Sequence, residues 1–183
     1  MTGGKAASGG PNGVRIRWAG AEDAAALVPV LAALHAHDVA DAGVPEFDVV
    51  AAHAERLLDG SAPHRLVIAQ DGDGRVMGLA AVAIVMSISD PRPGRCRQMD
   101  LKELFVMPGA RGAGIGTALM AWIEVQACAL GAGRIDWHVK RDNHGGIAFY
   151  RRFGADIVDG RLSMRKTLGG GGLTADWPVS SDA

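Results

Sequence analysis

The feature that most constrains this chain is a glycine-rich segment, FVMPGARGAGIGTALM, which runs from Phe105 to Met120. An apolar run typical of a strand enters the segment, and a run with helical spacing leaves it. Four glycines and one arginine lie in the segment. A helix that begins there exposes its first N–H groups, which have no partner within the helix. The segment therefore predicts a strand, a tight loop and a helix with an open N-terminus.

The loop RGAGIG, from Arg111 to Gly116, has the composition of an anion site. The helix dipole adds partial positive charge at its N-terminus, and glycines let a phosphate approach the backbone closely. Arg111 can add a charge-assisted contact. The spacing excludes a Walker A loop, because Thr117 follows Gly116, and it excludes the G-x-G-x-x-G fingerprint. A tight turn that binds no ligand is the alternative interpretation of the loop alone.

The remaining patterns give the element order β-α-α-β-β-β-α-β-α-β. Two Asp-Gly pairs in DGDGR indicate a hairpin. Successive hairpins followed by a βαβ crossover predict an α+β fold. We expect a mixed, mostly antiparallel sheet of six to seven strands, with four flanking helices. The expected domain covers residues 14–168, between a disordered N-terminal tail, 1–13, and a flexible C-terminal tail, 169–183.

Composition excludes several classes of protein. Nineteen Lys and Arg residues against twenty Asp and Glu residues give a formal charge of -1, which argues against a nucleic-acid partner. No apolar run reaches the ~18 residues of a membrane helix, so no membrane partner is expected. Cys96 and Cys128 are too few for a disulfide scaffold, and a cytoplasmic location is expected. No metal site is expected, because His35 and His37 lie two apart on a helix and face apart.

Two blocks together resemble the GNAT N-acetyltransferase superfamily. ELFVMPGARGAGIGTALM contains the motif Arg/Gln-x-x-Gly-x-Gly/Ala, which is matched by Arg111, Gly114 and Gly116. RIDWHVKRDNHGGIAFYRRFGA matches a second motif at Asn143, Ala148, Phe149, Tyr150, Gly154 and Ala155. The resemblance covers about residues 14–167 and looks closest to the spermidine/spermine acetyltransferase-like branch.

The resemblance implies an N-acetyltransferase that uses acetyl-CoA as cosubstrate, without a metal. The acceptor would be a primary amine on a small polyamine-like or amino-acid-like molecule, which attacks the thioester directly. The pantetheine arm would lie beside the strand that ends at Val106, where two strands of the fold, here ending near Val106 and Val139, splay apart. The implied donor-site residues are Leu104, Phe105, Val106, Arg111, Gly112, Ala113, Gly114, Ile115, Gly116, Thr117, Asn143 and Phe149. Relatives are often dimers, so a homodimer is expected.

Tyr150, the only tyrosine in the chain, falls on the position of the family's general acid. The resemblance implies that its hydroxyl protonates the CoA sulfur. The alternative is a half-buried aromatic residue whose hydroxyl reaches water. A strand N–H near Phe105 or Val106 would stabilise the carbonyl oxygen as negative charge develops there.

Three candidates remain for the general base that takes the proton of the amine: Glu103, Asp100 acting through water, and water alone. Strict alternation places Glu103 in an apolar row with Met99, Leu101, Phe105 and Met107, where the pKa of a carboxyl would be raised; a strand bulge would change that row. The alternative is that Glu103 pairs with a cation and has no catalytic part.

Lys102 stands where polyamine-type relatives often have a carboxylate. That departure leaves an alternative function open, a CoA-binding sensor or other non-catalytic module. The acceptor pocket is expected to draw on the acids Asp38, Asp41, Glu46 and Asp48, which could equally be solvated surface residues. One of His35 and His37 could face the acceptor.

Overall fold

The computed structural model describes residues 8–9, 13–39, 43, 45–160 and 163–166. The chain divides into two compact units, residues 1–138 and 139–183. The strands are β1 Ser8–Gly9, β2 Arg15–Trp18, β3 Arg65–Gln70, β4 Val76–Met86, β5 Arg97–Val106 and β6 Ile135–Trp137. The helices are α1 Ala24–Asp38, α2 Phe47–Leu58, α3 Ile115–Ala129 and α4 His144–Arg151. No described helix is long and apolar enough to cross a membrane.

The sheet of the first unit follows chain order from β1 to β6. Neighbouring strands pair antiparallel as far as β5, and β5 pairs parallel with β6 after the α3 crossover. The α+β class, the mixed sheet and four helices are therefore confirmed for the described residues. The expected count of six to seven strands is too high: among the described residues five strands, β2 to β6, have three or more residues, and β1 adds only a two-residue edge pairing.

The last expected strand, RLSMRKTL at residues 161–168, is not formed where it is described. Residues 163–166 have no regular structure, and 161–162 and 167–168 lie outside the described residues. The expected disordered tails likewise lie outside the described residues, apart from 8–9 and 13.

Pro29 lies inside α1, which continues through it to Asp38.

Strand register assigns the two faces of the sheet to different helices. Leu66, Leu79 and Phe105 lie on the face that packs against α1 and α2 in one buried apolar cluster. The other face lies against α3, because a Cβ placed on Gly78 would be 3.4 Å from both Ile115 Cγ2 and Leu119 Cδ1. Gly78 therefore lets the first turn of α3 lie directly on β4, close to the end of β5.

A buried ion pair ties β2 to the start of α1. Arg17 donates from Nη1 to Asp23 Oδ2 at 2.7 Å and from Nη2 to Asp23 Oδ1 at 2.6 Å. Asp23 also accepts the N–H of Gly20 at 2.8 Å, and it is only 4% exposed. The hydrogen bond from Arg17, opposed by burial, holds the pKa of Asp23 below its ordinary value. The pair fixes where α1 leaves the sheet.

We predict that Asp23→Asn lowers the free energy of unfolding by about 3 kcal/mol at pH 7, because it leaves the Arg17 charge partly buried without its partner. Urea denaturation measures the change. Asp73→Asn, at an exposed turn whose carboxylate accepts no hydrogen bond in the described part of the chain, is the control and should be nearly neutral. Equal losses in the two variants would contradict the structural role of the pair.

The same pair predicts a pH dependence. The pKa of Asp23 is lower in the folded chain than in the unfolded one. Its contribution is therefore present above the unfolded pKa, about 3.9, and is lost as the pH falls through the folded pKa. The stability difference between wild type and Asp23→Asn should shrink between about pH 5 and about pH 2. A difference that stays constant over this range would show that the carboxylate charge is not the cause.

Candidate active site

The parallel pairing of β5 and β6 stops before β5 ends. Its last paired residues are Leu101 and Trp137, whereas β5 continues to Val106. The end of β5 therefore has an open edge on the β6 side, although its other edge stays paired with β4 as far as Val106. β6 itself ends at Trp137, so the register shows where the pairing stops; that the two strands splay apart stays a prediction.

Hydrogen-bond alternation shows which groups face this open edge. The N–H of Met107 donates to Met77 O at 2.9 Å, across the pair with β4. Because paired residues alternate in an antiparallel ladder, Phe105 also faces β4, and the polar backbone groups of Leu104 and Val106 face the open edge. Of the two N–H groups expected to stabilise the carbonyl oxygen, that of Phe105 is thus excluded by its pairing with β4.

Two side chains lie along this open edge. A Glu103 carboxylate oxygen, Oε1, accepts the N–H of Leu104 at 3.1 Å. Arg111 Nε donates to the carbonyl of Val106 at 3.1 Å. The guanidinium carbon of Arg111 also lies 5.8 Å from the centre of the Phe105 ring. Arg111, the first residue of the glycine-rich loop, therefore contacts the open edge of β5.

A bulge at Lys102 corrects the expected face of Glu103. Glu103 pairs with Ala81 and Leu101 pairs with Val82, so Lys102 is the extra residue of β5. Glu103 therefore shares a face with Phe105, whereas Leu101 and Met99 point to the α3 side. The predicted apolar row of five is therefore wrong.

Beyond the bulge, Asp100 lies on the same face as Glu103, because it pairs with Ala83, two residues from Ala81. Its Oδ2 accepts from Lys102 Nζ at 2.7 Å. Lys102 thus supplies a cation to Asp100 where the family pattern led us to expect a carboxylate. Asp100 and Glu103 are brought together on one face, but each already has a hydrogen-bond partner.

The glycine loop presents a row of backbone donors. Gly112 and Gly114 both have φ of 80°, the left-handed conformation that favours glycine. The first helical hydrogen bond of α3 runs from the Ala118 N–H to Gly114 O at 2.9 Å. Within the described ranges, the N–H groups from Gly112 through Thr117 have no hydrogen-bond acceptor. These residues, Ile115 apart, are exposed or half-buried, so a ligand can reach them.

This arrangement fits a pyrophosphate. Consecutive free N–H groups at the N-terminus of a 15-residue helix supply both hydrogen bonds and the positive end of the dipole. No carboxylate occupies the first turn of α3. The donor set is therefore suited to the diphosphate of a nucleotide such as CoA.

His37 is a site residue whose position the sequence left open. Its ring lies 5.9 Å from the Phe105 ring, centre to centre, at an angle of 64°. Its Nδ1 is 3.0 Å from Asp38 Oδ1. The other histidine, His35, instead has Nε2 at 3.2 Å from Gly43 O. The helical spacing of Val30, Leu34 and His37, which places the three on one face, is the signal that could have distinguished the two histidines.

The other expected acceptor acids are scattered. Glu46 is the exposed N-cap residue of α2, and Asp48 is exposed in its first turn. Asp41 lies outside the described residues. Among the residues described, no group of three His, Cys, Asp or Glu side chains is placed to hold a metal ion.

In the second unit, Asn143 has a local structural role. Its Oδ1 accepts the N–H of Gly146 at 2.8 Å and so caps the N-terminus of α4. A Cβ on Gly146 would lie 2.7 Å from Asn143 Nδ2, so the glycine is needed for this cap. The cap explains the spacing of this motif without reference to a ligand.

Tyr150 and Phe149 lie near the end of α4, and both are half-buried. Their ring centres are 5.1 Å apart at an angle of 71°. The carbonyl of Tyr150 accepts the N–H of Phe153 at 2.9 Å, and Gly154 follows with φ of 73°. This glycine ends the helix, as expected, and the turn holds the backbone of Tyr150 in place.

Comparison with known proteins agrees with this geometry. Residues 33–155 match the model of the acetyltransferase (GNAT) family. An uncharacterised N-acetyltransferase of Mycobacterium tuberculosis is 30% identical over 132 residues, which cover 72% of this chain and 74% of that protein. A protein of the same description from Mycobacterium bovis has the same identity and coverage.

Solved structures share the fold. An integron cassette protein from the mobile metagenome of V. cholerae has a TM-score of 0.77 at 24% identity, and the match covers 86% of this chain and 94% of that one. An aminoglycoside acetyltransferase from an uncultured soil metagenomic sample, in complex with sisomicin, has a TM-score of 0.68 at 13% identity, covering 85% and 96%. From its family match and its curated relatives, the chain belongs to the acetyltransferase (GNAT) family and is an N-acetyltransferase.

Proposed function

We propose that this protein transfers an acetyl group from acetyl-CoA to the primary amine of a small, cationic molecule. The observation that carries the proposal is the row of free N–H groups from Gly112 to Thr117, which follows directly on the open edge of β5. The row of N–H groups fits a diphosphate, and the open edge, which has no partner strand in the described residues, lies where a pantetheine arm can run beside β5. A polyamine-like acceptor, or an amino-acid-like one, fits the carboxylates on the adjacent face.

The chain's own residues would hold acetyl-CoA by its backbone. The N–H groups of residues 112–117 bind the pyrophosphate, with the charge of Arg111 nearby. The carbonyl of Leu104 pairs with an amide of the pantetheine arm along the open edge, whereas the N–H of Leu104 and the carbonyl of Val106 are bonded to Glu103 and Arg111. When bound, acetyl-CoA supplies an activated acyl group in a thioester. We assign Asn143 and Phe149 to the donor site on the motif alone.

Four groups on the chain then support direct attack by an amine. The N–H of Val106 faces the open edge and stabilises the negative charge that develops on the carbonyl oxygen. Tyr150 holds a proton on Oη for the departing sulfur, as the resemblance implies. Glu103 and Asp100 lie on the face covered by α1 and α2, opposite α3, and attract a cationic amine from that side.

We predict that Thr117→Glu weakens acetyl-CoA binding by at least about tenfold, because a carboxylate beside the pyrophosphate repels it. Thr117 is exposed at the third position of α3, where a negative charge stabilises the helix dipole. The fold should therefore be kept. Isothermal titration with acetyl-CoA measures the affinity, and thermal unfolding without ligand checks the fold.

Thr117→Gln is the matched control, since it has the same shape without the charge. S-acetylpantetheine, which lacks the pyrophosphate, is a second control, and its kcat/KM should be alike in wild type and Thr117→Glu. Equal affinity of the Glu and Gln variants for acetyl-CoA would refute the phosphate site at α3.

Tyr150→Phe should lower kcat by about a hundredfold while acetyl-CoA affinity stays near that of wild type, because only the proton donor is lost. Release of CoA thiol over a panel of amines measures kcat, and its pH profile should lose the limb at high pH. An unchanged kcat across pH would remove Tyr150 from the chemistry. Acetyl-CoA binding without thiol release in wild type would support the CoA-binding sensor instead.

A further inference from the structure

We propose that His37 takes the proton from the attacking amine, and that Asp38 sets the tautomer in which it does so. The inference rests on the proposed function, because it concerns the amine side of the same site. Neither the family match nor the motifs assign a role to the end of α1.

Helix α1 places the His37 ring at the end of β5. Val30 is buried on α1, and Leu34 packs against the same apolar cluster. His37 follows Leu34 by three residues, so it continues the sheet-facing stripe beyond the part of α1 that is buried. Its contact with the Phe105 ring places the imidazole over the end of β5, between the flanking residues whose backbone faces the open edge.

The two ring nitrogens of His37 differ in protonation. Nδ1 lies 3.0 Å from Asp38 Oδ1, so Nδ1 carries the hydrogen and donates it to the carboxylate. That tautomer leaves Nε2 as a proton acceptor. Nε2 has no hydrogen-bond partner in the described part of the chain, and the side chain is 55% exposed, so a substrate can reach it.

The carboxylates nearby are less suited to this task. Asp100 Oδ2 already accepts a hydrogen bond from Lys102 Nζ at 2.7 Å. Glu103 Oε1 is occupied by the N–H of Leu104. His37 Nε2, by contrast, has no hydrogen-bond partner among the described residues, and its ring lies against Phe105 on this face.

Both acidic and basic side chains lie on the elements around the His37 ring. Asp38 belongs to α1; Glu103, Asp100 and Lys102 lie on the facing side of β5; Arg111 is at the Phe105 ring. The other elements packed on α1 are α2, β4, which has no charged residue from Val76 to Met86, and the 3-10 turn Ala21–Asp23, whose acids Glu22 and Asp23 lie at the opposite end of α1 from His37. The ionisable residues of α2 are Asp48, His53, Glu55 and Arg56, and none has a described contact with His37.

The step balances without any further reactant. The amine nitrogen forms the new bond to the acyl carbon, and its proton passes to His37 Nε2. The carbon–sulfur bond of the thioester breaks, and its electron pair goes to sulfur, which takes a proton from Tyr150 Oη. Both residues then exchange protons with solvent before the next turnover.

The test compares His37→Gln with His35→Gln in the full chain. His37→Gln should lower kcat/KM for the amine by about a hundredfold at pH 7 and should abolish the acid limb of the pH profile. Acetyl-CoA affinity and thermal unfolding should stay unchanged. His35→Gln, two residues away and directed to Gly43, should retain wild-type kcat/KM. Asp38→Asn should move the acid limb, because it changes the partner of Nδ1.

The outcomes separate this inference from the proposed function. If wild type binds no acetyl-CoA and releases no thiol with any amine, the proposed function fails and the role of His37 falls with it. If wild type is active and His37→Gln keeps both kcat/KM and the acid limb, only the inference is overturned. A loss that appears in Glu103→Gln instead would assign the proton to Glu103. Recovery of His37→Ala activity by added imidazole would support His37 directly.

Discussion

The early end of the pairing between β5 and β6 is the constraint on which the site depends. Beyond Leu101, β5 has a partner strand only in β4 within the described residues, so its other edge offers backbone donors and acceptors. An open edge is ordinarily a hazard, because any extended chain can pair with it. Here Glu103 and Arg111 side chains bond to that edge, and α3 begins a few residues further along. The segment from Leu104 to Thr117 thus supplies both a strand edge without a partner strand and a helix N-terminus whose N–H groups have no acceptor among the described residues.

The two faces of the sheet divide the task. Gly78 permits α3 to lie directly on one face, which brings its free N–H groups close to the end of β5. The opposite face, under α1 and α2, carries the acids and His37 beside Phe105. A nucleotide and an amine can therefore approach one strand edge from different sides. The Arg17–Asp23 pair stabilises this layout indirectly, because it fixes the departure of α1 from β2.

Part of the candidate site could be predicted from short stretches of the sequence. The glycines of residues 112–116 predicted a tight loop followed by a helix with open N–H groups, and the structure has both. That a donor binds there stays a prediction. The bulge at Lys102 could not be predicted in this way, because one extra residue in β5 depends on its pairing with β4. That single residue moved Glu103 out of its predicted apolar row. The two histidines are a similar case. Helical spacing places His37, and not His35, on the face of Val30 and Leu34, but the contact with Phe105 depends on how α1 packs on the sheet.

The central claim is that the N–H groups after Arg111 bind the pyrophosphate. It is tested most directly by nuclear magnetic resonance of the protein labelled with ¹⁵N-glycine, in which Gly112, Gly114 and Gly116 report on the loop. The account predicts large downfield shifts of these three amide protons on addition of CoA, and none with pantetheine. Unchanged glycine amides at saturating CoA, or equal shifts with pantetheine, would contradict it.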